Sequence, residues 1–136
     1  MNGGPQQTAS APLAAAVNAG AQELAQKHCV PCKGGVPPLD AVAVSGYLSQ
    51  LRGWAVIDGH HLTKVYGFKN FAEALSFADR IGALAEEEQH HPDLCVSWGK
   101  LRADVWTHKI DGLTESDFIF AAKIDALLQA APAQQP

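Results

Sequence analysis

Residues 70–108 read NFAEALSFADRIGALAEEEQHHPDLCVSWGKLRADVWTH. Three patterns follow one another in this stretch. Phe71, Ala74, Leu75, Ala78, Ile81 and Ala85 recur at i, i+3 and i+4, the spacing of one helical face. Asn70, with Glu73 three residues on, has the form of an N-terminal capping box. Pro92 has no backbone N–H and disfavours helical geometry at His91, so the helix is expected to end at about Gln89 or His90. Leu94 to Trp98 then reads as a short strand, Gly99-Lys100 as a tight turn, and Leu101 to His108 as a longer strand. In that strand Leu101, Ala103 and Val105 alternate with Arg102, Asp104 and Trp106. The first set is expected to face the helices and the second to face away.

The same unit is legible on either side. Upstream, Val42, Tyr47, Leu48 and Leu51 share a helical face after a candidate Asp40 N-cap. Trp54 to Ile57 reads as a strand, Asp58-Gly59 as a hairpin turn, and Leu62 to Phe68 as the returning strand. Downstream, Thr114 reads as an N-cap with Asp117 in its capping box. Phe118, Ile119, Ala122, Ala126, Leu127 and Leu128 then give a final amphipathic helix. The order is helix-β-β-helix-β-β-helix. Strands joined as hairpins make an antiparallel sheet, so the expected fold is α+β: four antiparallel strands with three helices on one face. A sheet with Trp106 on its outer side and an open edge invites self-association.

Residues 1–20, rich in Ala, Gln, Gly and Pro, read as a flexible tail, residues 21–129 as one domain, and residues 130–136 as a second tail. Hydrophobic residues make up 47% of the 136 residues, enough for a core. The formal charge of −4 argues against a nucleic-acid binder, which needs a basic face. No apolar run reaches the roughly 20 residues of a membrane span. Met1 to Ser10 lacks the basic and apolar parts of a signal peptide. Three cysteines make no closed disulfide framework, and a reducing, cytoplasmic setting is expected.

The chemistry centres on histidine. His90 and His91 end an acidic helix that carries Glu86, Glu87 and Glu88, and His108 comes from a later strand. Imidazole, with an ordinary pKa of about 6.5, gives and takes protons near neutral pH. Bland roles stand beside this one. Two histidines also suit the negative end of a helix dipole. Asp117 is explained by its cap, Trp98 by core or sheet packing, and Glu87 and Glu88 by a solvated surface. His60-His61 reads as an exposed hairpin tip without a role. Cys29-x-x-Cys32 lacks the second pair of a zinc site and reads as a turn, with Gly34-Gly35 and Pro37-Pro38 setting its path.

Together these residues resemble the pterin-4a-carbinolamine dehydratase family. The run Ala85-Glu-Glu-Glu-Gln-His90-His91-Pro92, then Trp98, His108 and Asp117, is similar to its pattern. So are Cys29 to Leu39, in the form of bacterial members, and Phe68 to Leu75. The resemblance implies loss of water from 4a-hydroxytetrahydropterin to give quinonoid dihydropterin, a lyase step that recycles the cofactor of aromatic amino acid hydroxylases. It implies catalysis by His90, His91 and His108 with no metal or organic cofactor. His90 is expected as base toward the ring nitrogen, His108 as acid toward the hydroxyl, and His91 as a pterin contact. The first two roles are interchangeable at this stage. Gln89, Trp106, Thr107 and Lys109 are expected around the pterin, with Glu86, one turn before His90, orienting it. Dimers or tetramers formed through the edge strand and helices are implied, with a hydroxylase as a further partner. The alternatives are a non-catalytic pterin-binding or accessory protein, such as one supporting phenylalanine hydroxylase, and an enzyme of molybdopterin metabolism. Simple alternation puts His108 on the face away from the helices. It can meet His90 only near the end of the sheet, or if Thr107-His108 leaves strand geometry.

Overall fold

A computed structural model describes residues 18–30 and 36–134. The expected tail up to residue 17, and Cys32 with Gly34-Gly35, lie outside the described residues. In chain order the elements are α1 (Asn18–Gln26), α2 (Ala41–Leu48), β1 (Ala55–Ile57), β2 (His61–Gly67), α3 (Phe71–Glu88), β3 (Asp93–Ser97), β4 (Lys100–Val105), a 3-10 turn (His108–Ile110) and α4 (Glu115–Gln134). The α+β fold and the four-stranded antiparallel sheet are as expected, in the order β1-β2-β4-β3. One helix more than expected, α1, precedes the unit and packs on α4.

Local chemistry sets the boundaries. Asp40 Oδ1 accepts from the Ala43 N–H at 2.9 Å, and Asn70 Oδ1 from the Glu73 N–H at 2.9 Å, so both helices start at side-chain caps. Glu73 reaches back to the Lys69 N–H at 3.1 Å. The β3–β4 turn is Trp98-Gly99, one residue earlier than the sequence suggests, and Gly99 takes a φ of 73° that favours glycine.

Alternation holds where β4 is regular. Leu101, Ala103 and Val105 are fully buried and join Leu62 and Tyr66 of β2 in one core with α3 and α4. Each fully buried Leu or Phe contributes about 1.5–3 kcal/mol by removal from water. The buried stripe of α3 is Ala74, Phe77, Ile81, Ala85 and Glu88, while Phe71 and Leu75 are exposed. The stripe is therefore rotated from the expected one, because Phe77 packs against Tyr66 and Phe68 at ring-centroid distances of 5.1 and 5.3 Å. Trp98 is 71% exposed at its turn and is not a packing residue within the chain.

Glu88 also departs from expectation. It is buried rather than solvated, because it anchors the segment that follows α1. Its Oε1 accepts from the Cys29 N–H at 2.9 Å, and its Oε2 lies 3.5 Å from Lys123 Nζ. One residue further on, Val30 N–H donates to Ser116 Oγ at 2.9 Å. Residues 28–30 are thus tied to Glu88 and Ser116, the neighbours in sequence of Gln89 and Asp117.

Candidate active site

Helix α3 stops sharply. Gln89 takes the left-handed conformation, φ 54° and ψ 43°, and its N–H returns to Ala85 O. A left-handed residue past the last turn is a common helix stop, although glycine usually supplies it. His90 therefore leaves the helical path, and Glu86 is no longer one turn beneath it. Glu86 Oε2 lies 2.6 Å from His91 Nε2 instead, an exposed pair. The expected Glu86–His90 contact is replaced by Glu86–His91.

The carboxylate that His90 meets is Asp117. Its Oδ1 lies 2.6 Å from His90 Nε2; Asp117 is completely buried and the His90 side chain is 10% exposed. Its Oδ2 accepts from the Thr107 hydroxyl at 2.8 Å and from the Thr114 N–H at 2.8 Å. The second contact is the capping-box return bond at the start of α4, so Asp117 caps the helix and holds His90 with opposite oxygens. A carboxylate accepts only, so His90 Nε2 carries the hydrogen and Nδ1 is left as the acceptor of the neutral ring.

Strand β4 ends at Val105, three residues before His108. Thr107 and Gly112 close a small loop, with the Thr107 N–H donating to Gly112 O at 2.9 Å, and a 3-10 turn between them carries His108. Gly112 is packed so closely that a Cβ there would sit 2.9 Å from Pro38. Leaving the strand is how Thr107-His108 reaches the helical side. The His108 ring stands edge-on to Trp106 with centroids 4.4 Å apart.

Gln89, His90, His91, Trp106, Thr107, His108 and Lys109 together line a cleft of ≈ 300 Å³. These are the seven residues picked out for pterin binding from the sequence, brought to one place by the end of α3 and the loop after β4. A cleft of this size lies at the small end of the range for ligand sites. The sequence reading missed His60 and His61, whose rings lie 5.3 and 5.7 Å from that of Trp106.

Three imidazoles, those of His90, His91 and His108, thus line one cleft on a helix-covered antiparallel sheet, and His90 is held by a buried carboxylate. Comparison with known proteins gives the family. The model of the family described as pterin 4 alpha carbinolamine dehydratase matches residues 37–127. A provisionally named pterin-4-alpha-carbinolamine dehydratase of Rubrobacter xylanophilus is 60% identical over 105 residues, covering 77% of this chain and 98% of the relative. Another, from Alkaliphilus metalliredigens, is 56% identical over 103 residues, covering 75% and 93%. Among solved structures, a transcriptional coactivator/pterin dehydratase from Brucella melitensis matches with a TM-score of 0.63 and 30% identity, over 66% of this chain and 97% of that one. The chain belongs to the pterin-4a-carbinolamine dehydratase family.

Proposed function

We propose that the protein removes water from 4a-hydroxytetrahydropterin by histidine acid–base catalysis and so recycles the cofactor of an aromatic amino acid hydroxylase. The observation that carries this reading is the buried Asp117–His90 pair opening on the same cleft as His91 and His108.

The substrate carries a hydroxyl on a carbon bonded to a ring nitrogen. Elimination needs one group to take the N–H proton and another to protonate the departing hydroxyl. The C–O bond then breaks, a C=N bond forms, and water leaves. His90 suits the base: Asp117 fixes its tautomer, keeps Nδ1 as acceptor, and lies beside the imidazolium once the proton has arrived. His108, on the other wall, suits the acid. Each positioned acid or base typically contributes about 10²–10⁴-fold. His91, exposed and paired with Glu86, contacts the pterin, and Trp106 offers it an aromatic wall.

The protein is further proposed to act as a homodimer or homotetramer. Among the described residues β1 and β3 are the edge strands of the sheet, and Val65, Trp98, Phe71 and Leu75 are exposed apolar side chains. The functional test is stopped-flow absorbance of 4a-hydroxytetrahydropterin generated in situ by a hydroxylase. Faster decay with the protein than without it supports the reading. An unchanged spontaneous rate refutes it and leaves a pterin-binding or accessory protein.

A further inference from the structure

We propose that His60 is a positioning residue for His108, acting through Asp111 and Trp106. The inference rests on the dehydratase reading and extends the site to the β1–β2 hairpin, where the sequence shows only a turn.

The hairpin is irregular. Asp58 and Gly59 both have positive φ, 54° and 64°, and the His60 N–H donates to Ile57 O at 2.8 Å. Yet the ladder pairs Ile57 with His61. Two consecutive residues, His60 and His61, therefore oppose one, which is a β-bulge. In a regular strand adjacent side chains leave on opposite faces. The bulge lets both imidazoles lie against Trp106, and they stand edge-on to each other at 5.3 Å.

From there the contact reaches His108 by two routes. His60 Nε2 lies 2.7 Å from Asp111 Oδ1, and Asp111 closes the 3-10 turn that carries His108, donating its N–H to His108 O at 3.2 Å. Asp111 is itself left-handed at φ 52°, a conformation that costs a non-glycine residue energy and needs support. In parallel, Trp106 packs between the hairpin histidines and the His108 ring. The hydrogen bonds also fix tautomers. With Nε2–H donated to Asp111, His60 Nδ1 accepts from His61 Nδ1–H across 3.0 Å. A hairpin tip without a role would need neither the bulge nor this chain of partners.

The test uses the full chain, with His60→Ala, His60→Gln and Asp111→Asn. Glutamine keeps a donor for Asp111, and asparagine tolerates the left-handed position. Two readouts are taken: steady-state dehydration and the ring-proton NMR resonances of His108, which lie in the ring-current field of Trp106. The expected result is that His60→Ala shifts the His108 resonances and lowers kcat on the order of 10-fold with KM little changed, as displacement of a reacting group does. His60→Gln restores most of the kcat, and Asp111→Asn falls between. Unmoved His108 resonances in His60→Ala overturn the proposal, as does unchanged turnover against an active wild type. If the wild type itself shows no turnover, the dehydratase reading fails, and the resonances alone decide whether His60 holds His108.

Discussion

Asp117 holds two structures together with one carboxylate: Oδ1 meets His90 Nε2 at 2.6 Å, and Oδ2 takes the Thr114 N–H that opens α4. The start of the last helix and the orientation of the candidate base are therefore one arrangement. Asp117→Asn retains the shape but supplies a single acceptor oxygen, so either His90 or the Thr107–Thr114 side loses its partner. The expected result is a fall in kcat on the order of 10²-fold or more, as for removal of the carboxylate from other carboxylate–histidine pairs. Asp117→Ala in addition leaves buried donors unpaired and lowers stability by about 2–4 kcal/mol. Urea unfolding beside steady-state rates separates the two effects.

Gln89 carries backbone strain at the mouth of the cleft, with φ at 54°. Glycine adopts this conformation without the Cβ penalty, so Gln89→Gly is expected to raise stability by about 1 kcal/mol. It keeps the sharp exit from α3 that places His90 and His91. Any kinetic effect should then appear in KM, from the lost side chain. A drop in the urea midpoint would contradict the strain argument.

Asp125 is the internal control. Its carboxylate accepts from Lys64 Nζ at 2.9 Å, the Tyr66 hydroxyl at 2.6 Å and Trp54 Nε1 at 3.1 Å, away from the cleft-lining residues. Asp125→Ala is expected to lower stability by about 2–4 kcal/mol, because the Tyr66 hydroxyl and Trp54 Nε1 lose their acceptor and Lys64, which keeps only Arg52 O, loses its counter-charge. It should leave kcat within about twofold, since no cleft contact depends on it. Differential scanning calorimetry and the kinetic assay check both halves.

The Cys29–Glu88 contact predicts stability losses at both ends of the pH scale. Burial pulls the Glu88 carboxyl upward, but the Cys29 N–H, Lys123 and His28 outweigh it and hold the carboxyl below its ordinary value of 4.5. A lowered carboxyl stabilises the fold above its unfolded pKa, and that contribution is lost as the pH falls below about 4.5. Burial, and next the Glu88 charge, push the Cys29 thiol from 9.0 up to about 12. A raised thiol stabilises the fold fully below its unfolded pKa and progressively less as the pH climbs from 9.0 to about 12. Urea midpoints across pH should therefore fall at both limits. Glu88→Gln should lessen the acid limb, and Cys29→Ala should lessen the alkaline one, part of which remains because burial also raises the Tyr66 hydroxyl. At pH 8, iodoacetamide should modify exposed Cys95 well before Cys29.

Much of this fold can be read from residue chemistry. The Asn70 cap, the β3–β4 alternation and the Thr114–Asp117 box are local patterns, and each appears in the structure. What escaped local reading depends on partners distant in sequence. Glu88 sits in an acidic run and looks solvated, yet it meets Cys29 across 59 residues. Period alone placed Glu86 beneath His90, but the left-handed turn at Gln89 moves His90 onto Asp117, 27 residues away. The sequence offers His108 as a candidate site residue but does not show its conformation. Nothing in Val105-Trp106-Thr107-His108 announces that the strand stops at Val105, because the stop is made by the Thr107–Gly112 pairing and by Pro38 against Gly112. The His60-His61 bulge left one faint sign, an extra residue after the Asp58-Gly59 turn.

In the proposed reaction His90 and His108 transfer the protons of a dehydration. The most direct measurement is single-turnover decay of 4a-hydroxytetrahydropterin with wild type, His90→Ala and His108→Ala, each shown to be folded by circular dichroism. Acceleration by the wild type and a loss of about 10²–10⁴-fold in each variant are expected. Near-normal turnover in either folded variant would contradict those roles.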